Sequence, residues 1–195
     1  MLERAAAPGD RRVKIAFIGS HGVGKTTLCY GLAARLKRRD VALEIVHEVA
    51  RRSPLPINEA TTVPAQRWIL LAQMADELVA AERYTVVLCD RSVLDNYVYL
   101  LLAAGPDAVF EPLVERWMST YDLLVRVPIV ALPSADGVRA PDPSFQRAVD
   151  ERLARELERR ALPSLALDPA ASDAWLDVVE RAAAELIASP QLELL

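Results

Sequence analysis

The sequence predicts an α/β domain in which a parallel sheet is covered by helices on both faces. Three observations predict it. Short apolar runs alternate with helical patterns along almost the whole chain, the rhythm of parallel crossovers rather than hairpins. A glycine-rich loop, Gly19-Ser20-His21-Gly22-Val23-Gly24-Lys25-Thr26, joins the first apolar run to the first helical one. Polar clusters then follow several of the apolar runs at their carboxyl ends, the edge at which open sheets of this kind bind ligands.

The first strand is expected at Val13–Ile18 and the first helix at about Lys25–Arg38. Val41–His47 reads as the second strand. A loop with Pro54, Pro56 and Asn58 follows, too rich in proline for a regular element. The second helix starts near Pro64, since proline suits a first helical turn. Trp68, Leu71, Ala72, Ala75, Leu78 and Val79 recur at helical spacing and are expected as its buried face.

Thr85–Cys89 is a continuous apolar strand that delivers Asp90 and Arg91 at its carboxyl end. Ser92, with Asp95 in reach, has the capping pattern for a third helix, Val93–Ala104, apolar on nearly every side. A helix at about Ala108–Thr120 precedes the strand Asp122–Val127. Pro128–Pro143 carries prolines and Gly137 and reads as a loop. Phe145–Arg160 is a charged helix whose pairs Glu151–Arg155, Arg152–Glu156 and Glu156–Arg160 are spaced four apart. Leu165–Leu167 is a short strand and Asp173–Ala188 the closing helix.

A chain of 195 residues, half apolar and a quarter charged, is long enough for one well-buried core. Residues 1–12 are expected as a flexible tail and 13–195 as a single domain, with neither a repeat nor a dividing linker. The net charge of −4 argues against a nucleic-acid partner, which a broad basic surface would serve. No run approaches the length of a membrane span and the N-terminus lacks a signal-like apolar core, so a cytoplasmic location without a membrane partner is expected. Cys29 and Cys89 fall in a helix and a strand without metal-ligand spacing and are expected as buried thiols.

The glycine loop satisfies G-x-x-x-x-G-K-[ST] at each specified position, in the strand–loop–helix setting the motif requires. Gly19, Gly22 and Gly24 let the backbone wrap a phosphate, and amides up to Thr26 and Thr27 at the helix start point at the anion. Lys25 would bridge the β- and γ-phosphates, and the Thr26 hydroxyl would hold Mg²⁺. A nucleoside triphosphate is therefore the expected ligand.

Glu48, just after the second strand, has two readings. It is an acid that takes a proton from an attacking hydroxyl or holds metal-bound water, or a loop carboxylate paired with Arg51 or Arg52. Asp90 follows an apolar strand, the arrangement that presents an acid to Mg²⁺; a helix-capping role is the alternative. Arg91 would be costly to bury without an anion, which Asp90 or a substrate oxygen would supply. Arg139, beside Gly137 in a loop before a helix, suits a closing cover whose cation lies over the transferred phosphate. Gln73 either projects into the cleft or is solvated. His21 and His47 stand apart, with no metal role expected.

The phosphate loop, His47-Glu48-Val49-Ala50-Arg51, Asp90-Arg91-Ser92-Val93-Leu94-Asp95-Asn96-Tyr97 and Asp136-Gly137-Val138-Arg139 together resemble the small AAA-type ATP-binding domain. That group is similar to the nicotinamide-riboside-kinase domain of NAD-biosynthesis regulators and to deoxynucleoside and thymidylate kinases. The resemblance covers about residues 14–167. It implies a P-loop NTPase three-layer sandwich with a five-stranded parallel sheet in the order 2-3-1-4-5 and a lid. It also implies ATP and Mg²⁺ as cofactors, Glu48 as the base, Asp90 near metal, Arg91 near the acceptor oxygen, and Arg139 as a lid arginine. Deoxynucleoside kinases usually carry Glu where this chain has Asp90, so the sugar contact does not transfer.

The leading expectation is an ATP-dependent kinase of a small nucleoside, nucleotide or nucleoside-like alcohol. A regulatory NTPase switch acting through a protein partner is the second, weakened by the lack of an Asn-Lys-x-Asp base-reading element. A catalytically silent binding module would have lost Lys25 or the acids after the strands, and both are kept. A polynucleotide 5′-hydroxyl kinase would need a basic strand-binding groove. The assembly is left open, a homodimer included.

Overall fold

The computed structural model describes residues 12–57, 61–130 and 143–188. The expected tail up to residue 11, Asn58, and Arg139 with its loop lie outside the described residues.

β1 (Val13–Ile18) leads through the glycine loop into α1 (Lys25–Lys37). β2 (Leu43–Val46) is followed by a 3₁₀ turn at Val49–Arg52 and by α2 (Val63–Arg83). β3 (Val86–Cys89), α3 (Val93–Ala104) and α4 (Phe110–Met118) come next. The described chain ends with β4 (Leu123–Arg126), α5 (Pro143–Arg159), β5 (Leu165–Ala166), a 3₁₀ segment at Pro169–Ala174, and α6 (Trp175–Ala188). The sheet order is β2-β3-β1-β4-β5, with all four pairings parallel. This is the P-loop NTPase sandwich. No helix of the described residues is long and apolar enough to cross a membrane.

Alternation along β1 divides the core in two. Val13, Ile15 and Phe17 face α1 and α6, and Leu32, Leu36, Trp175 and Val179 pack against them. Ala16 and Ile18 face the other layer, with Leu70 of α2, Leu94 of α3, Phe110 of α4 and Leu153 of α5. Buried on both faces, the central strand reads as an unbroken apolar run except at Lys14.

Lys14 shares the Ala16 and Ile18 face by strand period, so its ammonium enters the α2–α4 layer. There Nζ lies 3.1 Å from Glu77 Oε2 and donates to Thr120 Oγ1 at 2.7 Å. It also sits 5.2 Å from the Trp117 ring centroid and 4.9 Å from that of Tyr121. Trp117 Nε1 (2.8 Å) and Tyr121 OH (2.6 Å) donate to the same carboxylate, as does Gln73 Nε2 (2.8 Å). A buried charge costs least when its lone pairs are filled in this way. Burial, reinforced by Glu77, pushes the Tyr121 hydroxyl pKa well above its ordinary value, so Tyr121 remains a donor.

This network reverses the expected face of α2. The helix buries Ala65, Gln66, Ile69, Leu70, Gln73, Met74, Glu77 and Ala80, while Leu71 (51%), Leu78 (61%) and Val79 (51%) are exposed, as is Ala75. Trp68 and Ala72 are half-buried. Gln73 and Glu77 point inward because β1, α4 and the turns after β3 and α4 supply partners for them, while Gln66 bonds Thr61 just before the helix. Gln73 accordingly lies under the turn after β3 rather than in solvent.

α3 is buried from Val93 to Val98, and Ser92 and Asp95 form a full capping box at its start. In α5 the Arg152–Glu156 and Glu156–Arg160 pairs form, with Arg159 also on Glu156, while Glu151 and Arg155 do not pair with each other. Arg159 and Arg160 reach Glu111 of α4 as well. Both cysteines are buried, and burial raises the Cys29 and Cys89 thiol pKa values, leaving no ready thiolate.

Candidate active site

The site lies at the carboxyl ends of β1, β2 and β3. Gly19 turns the chain out of β1 with φ +144°, and a Cβ there would lie 2.6 Å from the Val127 carbonyl oxygen. Only glycine fits that approach. Gly22 (φ +75°) and Gly24 (φ +95°) complete the loop, and Gly24 caps α1. Gly22, Gly24, Thr26 and Thr27 lie on the exposed side of the loop, whereas Ser20, His21, Val23 and Lys25 are buried.

Lys25 Nζ donates to the Gly19 carbonyl at 3.0 Å and to that of Ser20, so the loop's only lysine curls over its own backbone. Thr26 Oγ1 donates to Asp90 Oδ2 at 2.6 Å. Thr26 lies in the first turn of α1 and Asp90 directly follows β3, and adjacency of β1 and β3 brings them together. A hydroxyl and a carboxylate side by side are hard oxygen donors of the kind Mg²⁺ takes alongside phosphate oxygens.

Arg91 occupies a φ of +125°, unusual for a residue with a side chain, and is 3% exposed. Its hydrogen-bond partner is Glu48, an anion the sequence reading did not offer beside Asp90 and a substrate oxygen. Arg91 Nε donates to Glu48 Oε1 at 2.9 Å, and Arg51 Nε donates to Oε2 at 2.8 Å. Side chains on either side of a backbone turn point apart, so Asp90 turns to Thr26 and Arg91 to β2. Gln73 Nε2 donates to the Arg91 carbonyl at 3.3 Å and pins the turn from beneath. Burial works against the guanidinium's charge, but Tyr99, Asp95 and Asp90 outweigh it and raise the Arg91 pKa. The guanidinium carbon lies 5.3 Å from the Tyr99 ring centroid, and Nη1 is buried with no hydrogen-bond partner among the described residues.

Two contacts at the site were absent from the sequence reading. Asp95 Oδ1 accepts from the Gly19 amide at 2.9 Å while Oδ2 accepts from the Ser92 amide and hydroxyl, so one carboxylate ties the phosphate loop to the start of α3. Its capping role was legible; the second role needed the sheet. Gln146 Nε2 of α5 donates to the His21 carbonyl at 2.9 Å. His47 stacks on Tyr30 and shares a 3.1 Å hydrogen bond with it, at the surface. Among the described residues no group of His, Cys, Asp and Glu makes a three-ligand metal site.

A phosphate loop between β1 and α1, facing an acid at the end of β3 in a 2-3-1-4-5 sheet, defines a P-loop nucleotide-binding domain. The profile of a family described as an AAA domain matches residues 14–172, and the chain belongs to that family. No curated protein matches the sequence significantly. Solved structures share the fold. Deoxyadenosine kinase from M. mycoides, with dCMP and dCDP bound, has a TM-score of 0.62 at 12% identity over 89% of this chain and 100% of that one. Thymidylate kinase from Ehrlichia chaffeensis scores 0.64 at 16% identity, over 89% and 99%. NadR protein in complex with NR scores 0.70 at 20% identity, over 94% of this chain and 54% of that one.

Proposed function

We propose that the domain is an ATP- and Mg²⁺-dependent phosphotransferase acting on a small nucleoside, nucleotide or nucleoside-like alcohol. The observation that carries this reading is the convergence of two pairs at one sheet edge: Thr26 with Asp90, and Glu48 with Arg91. A nucleotide-binding loop alone needs only the first. The second adds an acid and a buried cation with an unfilled N–H, suited to an acceptor oxygen. The deoxyadenosine and thymidylate kinases that share the fold support the same reading.

In this reading the loop amides and Lys25 hold the β- and γ-phosphates, and Thr26 and Asp90 hold Mg²⁺, which would neutralise charge on the transferred group. Arg91 Nη1 orients the acceptor oxygen. Glu48 Oε1 accepts from Arg91 and Oε2 from Arg51, and in this reading the same carboxylate takes the acceptor proton as the phosphoryl group moves. Arg139 belongs to this proposal through its place in the sequence and the family resemblance.

The test is a panel of nucleosides, nucleotides and related alcohols incubated with ATP and Mg²⁺, scored by ADP formation and by phosphorylated acceptor. At least one acceptor should stimulate ADP release well above background. ATP binding without stimulation by any acceptor, together with a protein partner that binds only the ATP form, would replace the kinase with a regulatory switch.

A further inference from the structure

Gln146 lies in the first turn of α5 and is 1% exposed. Its Nε2 donates to the His21 carbonyl across 125 residues of sequence. A carbonyl only accepts, so the amide end of Gln146 is fixed by its partner. Next to it, the Phe145 ring stacks on the His21 imidazole, with centroids 6.0 Å apart and planes 29° apart, and meets Tyr99 edge-on at 5.9 Å. Two successive side chains of one helix thus grip one residue of the phosphate loop.

The peptide joining His21 to Gly22 is trans and planar, so its C=O and N–H point in opposite directions. Holding the carbonyl on α5 therefore turns the Gly22 amide away from α5. His21 is buried, while Gly22 lies on the exposed side of the loop. Glycine reaches φ +75° without steric cost, so the Gly22 backbone alone fixes this peptide only weakly.

We propose that Gln146 is a positioning residue of the phosphate loop: by anchoring the His21 carbonyl it aims the Gly22 N–H at the β- and γ-phosphates of the bound nucleotide. The proposal rests on the reading of the loop as a triphosphate site. It adds to the motif a fixed element from the far side of the chain.

Gln146→Met keeps the length and packing of the side chain and removes the donor. Calorimetry of wild type and variant with ATP and with AMP separates the possible roles. The expected result is roughly tenfold weaker ATP binding, about one hydrogen bond to a charged group, with AMP affinity unchanged. Equal ATP affinity in both proteins would overturn the proposal. So would equal losses for ATP and AMP, which mark a merely structural role. A wild type that binds neither nucleotide overturns the triphosphate reading itself. Should Gln146→Met not fold, Gln146→Asn keeps the amide but withdraws it from the carbonyl, and the same comparison applies.

Discussion

Glu48 and Arg91 form a buried ion pair that joins the end of β2 to the turn after β3, with Arg91 Nε 2.9 Å from Glu48 Oε1. Breaking the pair would leave a charge buried without its partner, so a useful variant keeps an acceptor for Arg91. Glu48→Gln keeps a carbonyl acceptor for Arg91 but removes the negative charge and the base. Phosphate transfer to the acceptor is expected to fall ~10²–10⁴-fold, with ATP affinity by calorimetry close to that of wild type. Unchanged transfer would take Glu48 out of the chemistry. Arg91→Ala should raise the acceptor KM more than the ATP Kd; the reverse order would refute the assignment of Nη1 to the acceptor.

Asp90 is expected to act through Mg²⁺. Asp90→Asn keeps an oxygen for the Thr26 hydroxyl and loses the charge, so the Mg²⁺ concentration for half-maximal turnover should rise. A Mg²⁺ titration of ATP turnover reads this directly, and an unshifted curve would leave Asp90 as a cap for the Thr26 hydroxyl only.

Lys25→Ala removes the only side-chain cation in the phosphate loop. Its ammonium donates to backbone carbonyls of the same loop, and thermal stability should change little. Turnover should drop by about 10²–10³-fold or more, the cost of losing one preorganised charge-stabilising donor. A folded Lys25→Ala protein with wild-type turnover would contradict the role.

Glu77 carries a different expectation. Glu77→Gln leaves Lys14 buried without its counter-charge, and should cost about 3–5 kcal/mol in denaturant unfolding. Lys14→Met combined with Glu77→Gln should recover part of that loss, since no unpaired charge then stays buried and the glutamine oxygen still accepts from Trp117 or Tyr121. If the double variant were no more stable than Glu77→Gln alone, the ion pair would not be the source of the effect.

Strand and helix positions were largely legible because they depend on local pattern. β1 and α3 have the expected bounds, and other shared elements differ by one or two residues at their ends. The last helix begins two residues late, since Asp173 and Ala174 fall in a 3₁₀ segment and α6 begins at Trp175. What failed depended on contacts between distant segments. The α2 stripe of Leu71, Leu78 and Val79 had the right period and the wrong side, because Lys14, Trp117 and Tyr121 supply partners for Glu77 that no helical window contains. The candidate site divides the same way. The phosphate loop is contiguous and was read whole, but the choice of Glu48 over Asp90 for Arg91 spans 43 residues.

The three anchors of the phosphate loop also bear on how the chain acquires its structure. Gly19 lies early in the sequence, yet its amide is held by Asp95, its turn abuts Val127, and the His21 carbonyl waits for Gln146. Closing such separations costs chain entropy before the contact repays it, and slows folding. During synthesis the motif therefore emerges long before the scaffold that shapes it, and a nascent chain that stops short of α5 carries an unsupported loop. Nucleotide recognition is in this sense a late event in maturation, although its signature is among the first residues made.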